Sequence, residues 1–345
     1  MMAKSQLVQG VAALWHQFRR STRLGETLSQ SRYIYQPILS SKQITQLAAE
    51  LSYLSLNLPA NDRSSQALRQ GDQTSRFMGA GLEYEESRHY QMGDEIRRIN
   101  WRLMAKTGQA FTKLYQEERQ ENSFIMLDQR QTMRFGTRTR LKAEQAIRAA
   151  GYFLWMAQGS NTPVEGARLA EELTFTPMFE GRATYEQLMA RFSQPCPPIQ
   201  HAVFEPHIND VLFDLTHRIQ PGSRLILISD FHDINPQSIE ILTALQQLAD
   251  VQAIWIQDPA ERFLPNFSVT LQSMVDGQRY SLNGANDSKA YQAWSKLHFQ
   301  QQLTQLQAAG VHVKTLLSDA SLSQLQTPSL QTDTLNVNQG AQDGR

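Results

Sequence analysis

A doubly wound, mainly parallel α/β sheet is the fold this sequence predicts, and three features predict it. The first is FIMLDQRQTMRFG, residues 124–136, where Phe124, Ile125, Met126 and Leu127 form an apolar run of strand length that ends on Asp128. A polar loop follows, then helical periodicity from about Thr139. A continuous apolar run closed by a polar turn is how a strand buried on both faces reads. The second feature, LILISDFHD, repeats the arrangement, with Leu225 to Ile228 as the strand and Asp230 just beyond it. The third is the alternation of strand and helix patterns around both, which argues for a parallel sheet covered on each face. Open α/β sheets bind ligands past the carboxyl ends of their strands, so Asp128 and Asp230 are expected to converge on one pocket. The plainer alternative is that each caps a helix or orders a turn.

Composition narrows the classes. The chain has 345 residues, 41% of them hydrophobic, enough for a real core. Its 33 Lys and Arg balance 33 Asp and Glu, so no whole-molecule field favours nucleic acid or an anionic membrane, and any charge argument has to be local. A single cysteine, Cys196, excludes an internal disulfide framework and a multi-cysteine zinc site. Near the start, Leu7, Val8, Val11 to Leu14 and Trp15 are apolar, but Gln9, Gly10, His16 and Gln17 break the run well short of the ~20 residues that span a bilayer. No signal peptide is evident, and a cytoplasmic protein without membrane insertion is expected.

Taken in order, residues 1–75 read as N-terminal helices and a linker. Val8, Val11, Ala12 and Trp15 make one apolar stripe and Ile44, Leu47, Leu51 and Leu54 a second, positioned to pack on the main domain or on a partner. The polar stretch from Pro59 to Arg76 suggests a loop. Residues 76–120 read as a small β-rich arm: one strand at Leu82 and Tyr84, another at Phe111 to Tyr115, and between them one short helix capped by Asp94, with Ile96 and Ile99 on its apolar side and Trp101 as its anchor. Residues 121–326 are the main domain. After the central loop, Leu141 to Leu154 form a long helix, Val164 to Phe179 a strand pair, ATYEQLMARF a helix after Gly181, Ile208 to Ile219 and Ile239 to Leu248 two more, and VQAIWI another buried strand. Asp276 and Gly277 mark the turn of a hairpin inserted near 267–283. A helix from Ser288 to Ala308, the strand VHVKTL and a short helix at SLSQLQ follow, and residues 327–345 read as a flexible tail.

The succession GAGLEYEESRHYQMGDEIRRINWRLMAKTG, FIMLDQRQTMRFG, LILISDFHD and IQDPAERFLP resembles the bacterial domain of unknown function 58 family, whose core is similar to a von Willebrand factor A domain. The likeness covers roughly residues 76–317. Arg88, Tyr90, Gly93, Asp94, Arg97 and Trp101 make it specific, and Asn100 departs from the aspartate usual before the tryptophan. The resemblance implies a partnership with a MoxR-type AAA+ ATPase, for which the chain would act as an adaptor or chaperone-like factor. It also implies a metal-ion-dependent adhesion site of the form Asp-x-Ser-x-Ser with a later Thr and Asp. Asp128 matches the first Asp, Thr132 the second hydroxyl, Asp230 the late Asp and, weakly, Thr184 the middle Thr. Arg130 stands at the first hydroxyl position. Arginine offers no lone pair to Mg²⁺, so either Arg130 replaces the metal by pairing with a carboxylate, or a degenerate Mg²⁺ site survives, or Arg130 points to solvent.

For function, the sequence favours a non-enzymatic protein-interaction module. Asp128, Arg130, Thr132, Arg134 and Asp230 would ring its crevice, and Arg88, Tyr90, Asp94, Arg97, Arg98 and Trp101 would either contact a partner or tie the arm to the sheet. There is no GxxxxGK[ST] phosphate loop, HExxH or GxSxG motif. His232 and Asp233 follow Asp230, but no nucleophile is evident beside them in the sequence. The alternative is nucleic-acid binding through Arg130, Arg134, Arg138, Arg140 and Lys142 around the central loop, with Arg97, Arg98, Arg102 and Trp101 in the arm.

Overall fold

The structure is a computed structural model that describes residues 36–56, 83–91, 96–116, 122–196, 205–264, 268–272 and 279–326. The stripe at 8–15, the loop at 59–76, Asp94, the Asp276–Gly277 turn and the tail at 327–345 lie outside them. Helix α1 (Ser41–Leu56) carries the second apolar stripe, and Leu47 and Leu51 are buried by it. Of the two places the sequence allows for this stripe, α1 takes the main domain: Arg148 Nη2 meets Glu50 at 2.7 Å, and Tyr185 Oη donates to the Ile44 carbonyl at 3.1 Å.

The arm follows. Strands β1 (Glu83–His89) and β2 (Phe111–Gln116) pair antiparallel. Between them are a 3₁₀ turn, Ile96–Arg98, and the helix α2 (Trp101–Thr107), where one continuous helix was expected. Asn100 caps α2, its Oδ1 accepting from Leu103 N at 3.1 Å. Asparagine serves here as well as the aspartate usual at that position, because an N-cap needs only a side-chain oxygen. The anchor also differs from expectation. Ile99 is buried and bridges to Thr112, whereas Ile96 is 65% and Trp101 60% exposed.

The main domain is built on β3 (Ser123–Asp128), followed by the helix α3 (Lys142–Gly159), β4 (Val164–Leu169), β5 (Leu173–Phe175), α4 (Thr184–Phe192) and α5 (Ile208–Arg218). Next come β6 (Arg224–Ser229), α6 (Pro236–Leu248), β7 (Asp250–Gln257), the single turn α7 (Pro259–Arg262), the hairpin β8 (Ser268–Gln272) and β9 (Arg279–Asn283), α8 (Gly284–Ala308) and β10 (His312–Leu317). The six-stranded sheet has the order β10-β7-β6-β3-β4-β5, parallel except for the edge strand β5. The chain moves from β3 to β4 on one side, then returns to β6 on the other. The order therefore reverses between β3 and β6, which opens a crevice at their carboxyl ends.

Strand residues divide by parity between two cores. Ile125, Leu127, Ile226, Ile228, Ile254, Ile256 and Leu316 face α1, α3 and α4; Phe124, Met126, Leu225, Leu227, Val251, Ala253 and Trp255 face α5, α6 and α8. With both faces covered, alternation disappears from the sequence and the strands read as unbroken apolar runs. Gly151 lets the helices of the first layer approach, since a Cβ there would meet Leu47 Cδ2 at 3.0 Å and Met189 Sδ at 3.2 Å. The expected elements of this domain are present, with α3 starting three residues later than the sequence suggests. The Phe135 carbonyl accepts from Lys142 N at 2.7 Å and closes the intervening loop.

Candidate functional site

In-register parallel pairing brings a polar group from four of the parallel strands to the same edge. β3 ends on Asp128, β6 on Ser229 with Asp230 next, β7 is followed by Asp258, and β10 by Ser318. Ser229 Oγ donates to Asp128 Oδ2 at 2.6 Å across the β3–β6 boundary, and Ser318 Oγ donates to Asp258 Oδ2 at 2.9 Å across β7–β10. Asp128, Asp230 and Asp258 are all buried, and a buried carboxylate persists only with compensating donors.

Arg130 compensates Asp128. Only 2% exposed, its guanidinium spends all five N–H donors inside the protein. Nε and Nη2 bind Asp128 Oδ1 and Oδ2 at 3.1 and 2.8 Å; Nη2 and Nη1 bind Asp233 Oδ1 and Oδ2 at 3.0 and 2.5 Å; Nη1 also reaches the Pro206 carbonyl at 3.1 Å. Two carboxylate forks thus clamp one planar cation, the geometry that only arginine provides. Burial by itself disfavours the charged guanidinium, but Asp128 and then Asp233 outweigh it and raise its pKa. Asp233 responds in kind: burial pushes it up, yet its bonds and charge interaction with Arg130 hold it at about 2. Because Asp233 Oδ2 also accepts from Ile208 N at 2.9 Å, this one cluster joins the loop after β3, the start of α5 and the turn after β6.

A second buried cation serves the other side of the crevice. Lys142, 1% exposed at the start of α3, donates through Nζ to Asp230 Oδ2 at 2.8 Å and to Glu261 Oε1 at 2.7 Å. Burial disfavours its charge, but Asp230 and Glu261 more than offset this and raise its pKa. Glu261 Oε2 accepts from Asp258 N at 3.0 Å. Asp258 in turn accepts from Thr137 N and Ala260 N, both at 2.9 Å, and from the Thr137 hydroxyl. The turn that aims Asp230 is strained: Phe231, fully buried, has φ +51°, a left-handed conformation uncommon for a bulky side chain. Its ring packs edge-on against Trp255, which helps hold the turn in place.

The predicted convergence of Asp128 and Asp230 is therefore real, but the pairing differs from expectation. Arg130 faces Asp128 and Asp233, and Asp230 belongs to Lys142. The crevice is not ringed by exposed charge, since Asp128, Arg130 and Asp230 are consumed by their partners. Of the central-loop cations in the nucleic-acid reading, Arg130 and Lys142 are internal, Arg134 is mostly buried with Nε on the Gln129 carbonyl at 3.1 Å, Arg140 donates to Gln145 Oε1 at 3.3 Å, and Arg138, though exposed, faces Asp319 at 3.4 Å; Arg97, Arg102 and Trp101 of its arm half are exposed. Thr184 is not part of the site. It starts α4 beside Gln158, which is 16 residues along α3 from Lys142, about 24 Å at 1.5 Å per residue. In the arm, Tyr90 N donates to the Ala110 carbonyl at 2.9 Å, Arg88 is half-buried, and Arg97 and Trp101 are exposed.

Thr132 lies beside His232, so a hydroxyl does neighbour the histidine. Its Oγ1 is 3.2 Å from His232 Nδ1, the same nitrogen that lies 2.9 Å from Asp230 Oδ1. A general base needs its two ring nitrogens divided, one holding the acid and the other facing the nucleophile. Here both partners crowd one nitrogen, and the arrangement cannot relay a proton from Thr132 through the ring to Asp230.

A metal fares no better. Ligand atoms of Asp128, Asp230 and His232 lie within 4.8 Å of one another. Yet each oxygen of Asp128 already accepts two hydrogen bonds, Oδ1 from Arg130 N and Nε and Oδ2 from Arg130 Nη2 and Ser229 Oγ. Mg²⁺ demands oxygen lone pairs in octahedral array, and these residues do not fit it. Calorimetric titration with Mg²⁺ or Mn²⁺ is expected to show no saturable binding; stoichiometric binding that disappears in Asp128→Ala would refute this.

Glu205 borders the same loop, its Oε1 accepting from Gln131 N at 2.8 Å. Burial pushes its pKa up to about 7, against the pull of Arg134. A carboxyl group whose folded pKa is raised binds more protons folded than unfolded, so stability falls as pH rises from about 4.5 through 7. Glu205→Gln should flatten that slope and make the protein more stable than wild type at pH 8, by on the order of 1–3 kcal/mol in urea unfolding.

Ser229, Thr137, Asp258 and Glu261 are not singled out by the sequence, and Lys142 and Asp233 are noted there only as one of a basic cluster and as the neighbour of His232. Of the first four, Asp258 and Glu261 leave a readable sign: Asp258-Pro-Ala-Glu261 is a capping-box pattern, and both bonds of the box form.

Comparison with known proteins gives the following. Residues 86–302 match the family described as "Protein of unknown function DUF58". Uncharacterized proteins of Mycobacterium tuberculosis and Mycobacterium bovis are 27% identical over 238 residues, covering 67% of this chain and 72% of theirs. Among solved structures, the conserved hypothetical protein BatB of Bacteroides thetaiotaomicron overlaps 60% of this chain and 93% of its own at 13% identity and a TM-score of 0.37. An aerotolerance-related membrane protein of Bacteroides fragilis overlaps 60% and 94% at 11% identity and the same score. At those scores neither overlap carries an argument about the site.

Proposed function

The chain belongs to the DUF58 family, whose description assigns no activity, and from the site itself we propose that it is a non-enzymatic protein-interaction module. Its binding surface is the rim of the crevice at the sheet's carboxyl edge, and its partner is a MoxR-type AAA+ ATPase, for which it acts as an adaptor. The observation that carries this reading is the enclosure of Arg130 between Asp128 and Asp233. Every donor of the guanidinium is used to fix three chain segments, which supports an edge built of shaped loops in which Arg130 holds the fold and is not itself offered to a ligand.

The core belongs, on this reading, with von Willebrand factor A domains in which Arg130 and Lys142 supply the positive charge that a metal provides elsewhere. What a partner can touch is the outer layer: Gln131, the edges of Arg134 and His232, and His207 at the start of α5. Fixed loops lose little entropy on binding, which favours affinity from a small contact. The MoxR-type partner rests on the family resemblance set out above, and such an ATPase places the chain in the cytoplasm. Among the described residues no helix is long and apolar enough to cross a membrane.

The test is binding of the purified full chain to the MoxR-type ATPase of the same cell. Interferometry should give a saturable signal that Gln131→Glu and His207→Asn each weaken about tenfold, a loss typical of a moderate contact residue; asparagine keeps a side-chain acceptor for Asn209 N at the start of α5. No binding in any nucleotide state, or binding indifferent to both substitutions, would overturn the proposal.

A further inference from the structure

We propose that the arm is a second, separate contact surface and that it docks on anionic lipid headgroups. The observation behind this is two exposed apolar side chains in one short segment with exposed cations that make no ion pair among the described residues. Ile96 is 65% and Trp101 60% exposed, and no residue of α2 is buried. Arg97, Arg102 and Lys106 are exposed as well, and none of them makes an ion pair among the described residues. The stretch IRRINWRLMAKTG carries four cations and no acid, in a chain whose net charge is zero.

Soluble surfaces tolerate single exposed apolar residues, but Ile96 and Trp101 flank a well-built support. Ile99 between them is buried and bridged to Thr112; Asn100 N donates to the Phe111 carbonyl at 2.7 Å. Asn100 caps the start of α2, and Gly108, at φ +71°, ends it in a left-handed turn that accommodates glycine without strain. The segment is thus held in shape with its apolar side chains facing outward. Basic residues beside an exposed tryptophan match the chemistry of a bilayer interface, where the indole sits at headgroup level and cations meet lipid phosphates. Each cation near an anionic leaflet adds about a fivefold gain in partitioning. A polynucleotide would engage the cations and stack on Trp101, but it has no use for an exposed Ile96, whereas a lipid surface takes up apolar side chains and cations alike. The proposal uses none of the crevice residues, so this surface stands or falls independently of the ATPase reading.

Sedimentation of the full chain with vesicles tests it. Phosphatidylcholine vesicles containing one-third phosphatidylglycerol should bind the protein, and pure phosphatidylcholine should bind it at least about tenfold more weakly. Trp101→Ala and the pair Arg97→Glu with Arg102→Glu should each reduce binding by about tenfold or more without changing thermal unfolding, since all three side chains are exposed. Arg182→Glu, an exposed cation outside the arm, should leave binding unchanged. Equal binding to both vesicles, full binding by the arm variants, or an equal loss with Arg182→Glu would overturn the proposal. So would the absence of vesicle binding together with capture of a labelled polynucleotide or an acidic peptide through the same residues.

Discussion

Replacing Arg130 by alanine is expected to lower the free energy of unfolding by about 3–5 kcal/mol, a large part of the stability of an ordinary domain. The loss comes less from the missing attraction than from what remains: Asp128, fully buried, and Asp233, mostly so, would face each other with no cation between them. Urea unfolding at pH 7 would show the deficit. It should narrow toward pH 4, because carboxylates stripped of their cation take up protons and shed the buried charge. The wild type behaves oppositely. Asp233, held at about 2, contributes stability that is complete above the ordinary carboxylate range near 3.8 and is lost only as pH falls through about 2. Arg130→Lys should recover part of the loss, since an ammonium keeps the charge but cannot fork onto two carboxylates. A deficit below about 1 kcal/mol in Arg130→Ala would mean that the guanidinium is not enclosed as described.

Lys142→Met should cost a similar amount, about 3–5 kcal/mol, for the same reason on the other side of the crevice: Asp230 and Glu261 would be left buried without their cation. Combining it with Asp230→Asn and Glu261→Gln should restore most of the loss, since removing every charge of a buried cluster is often close to neutral. If the triple variant is no more stable than Lys142→Met, the cost lies in packing around the lysine stem. In the wild type, the raised pKa of Lys142 has a definite sign. Its contribution is fully present below the ordinary lysine value of 10.5 and fades only as pH rises beyond it, so the ion pairs should persist through mild alkali. Amide exchange at the start of α3 would report this locally, because Lys142 joins that helix to the turns after β6 and β7.

Both predictions concern cations that stand within four residues of other basic side chains, and this marks where reading the sequence fails. Arg138, Arg140 and Lys142 look equivalent in the run RTRLK, and the sequence reading grouped them with Arg130 and Arg134 as one basic patch. In the fold Arg138 is 64% exposed, while Lys142 is fully enclosed. Nothing local separates them. The acids that select Lys142 are 88 and 119 residues away, delivered by the ends of β6 and β7. Arg130 was more legible, because it stands two residues from Asp128 in a motif where a hydroxyl was expected, and its chemistry already suggested a stand-in for a metal. Its second fork, onto Asp233 at a separation of 103 residues, was not legible. The arm shows the converse error. Trp101 reads as an anchor because large aromatics usually bury, yet Ile99, two residues earlier, takes that role and Trp101 faces outward.

By itself the sequence determined the layered α/β architecture, the order of nearly every helix and strand in the main domain, and the strand ends at which Asp128 and Asp230 emerge. These follow from apolar runs, helical spacing and turn residues, which act over a few residues and are therefore written locally. Only the tertiary structure decided which cation answers which carboxylate, that Glu261, Asp258 and Asp233 complete the network, and that the crevice is closed by its own charges. Ion pairing inside a protein depends on distance and on burial, and both are set when strands far apart in the chain are brought side by side in one sheet.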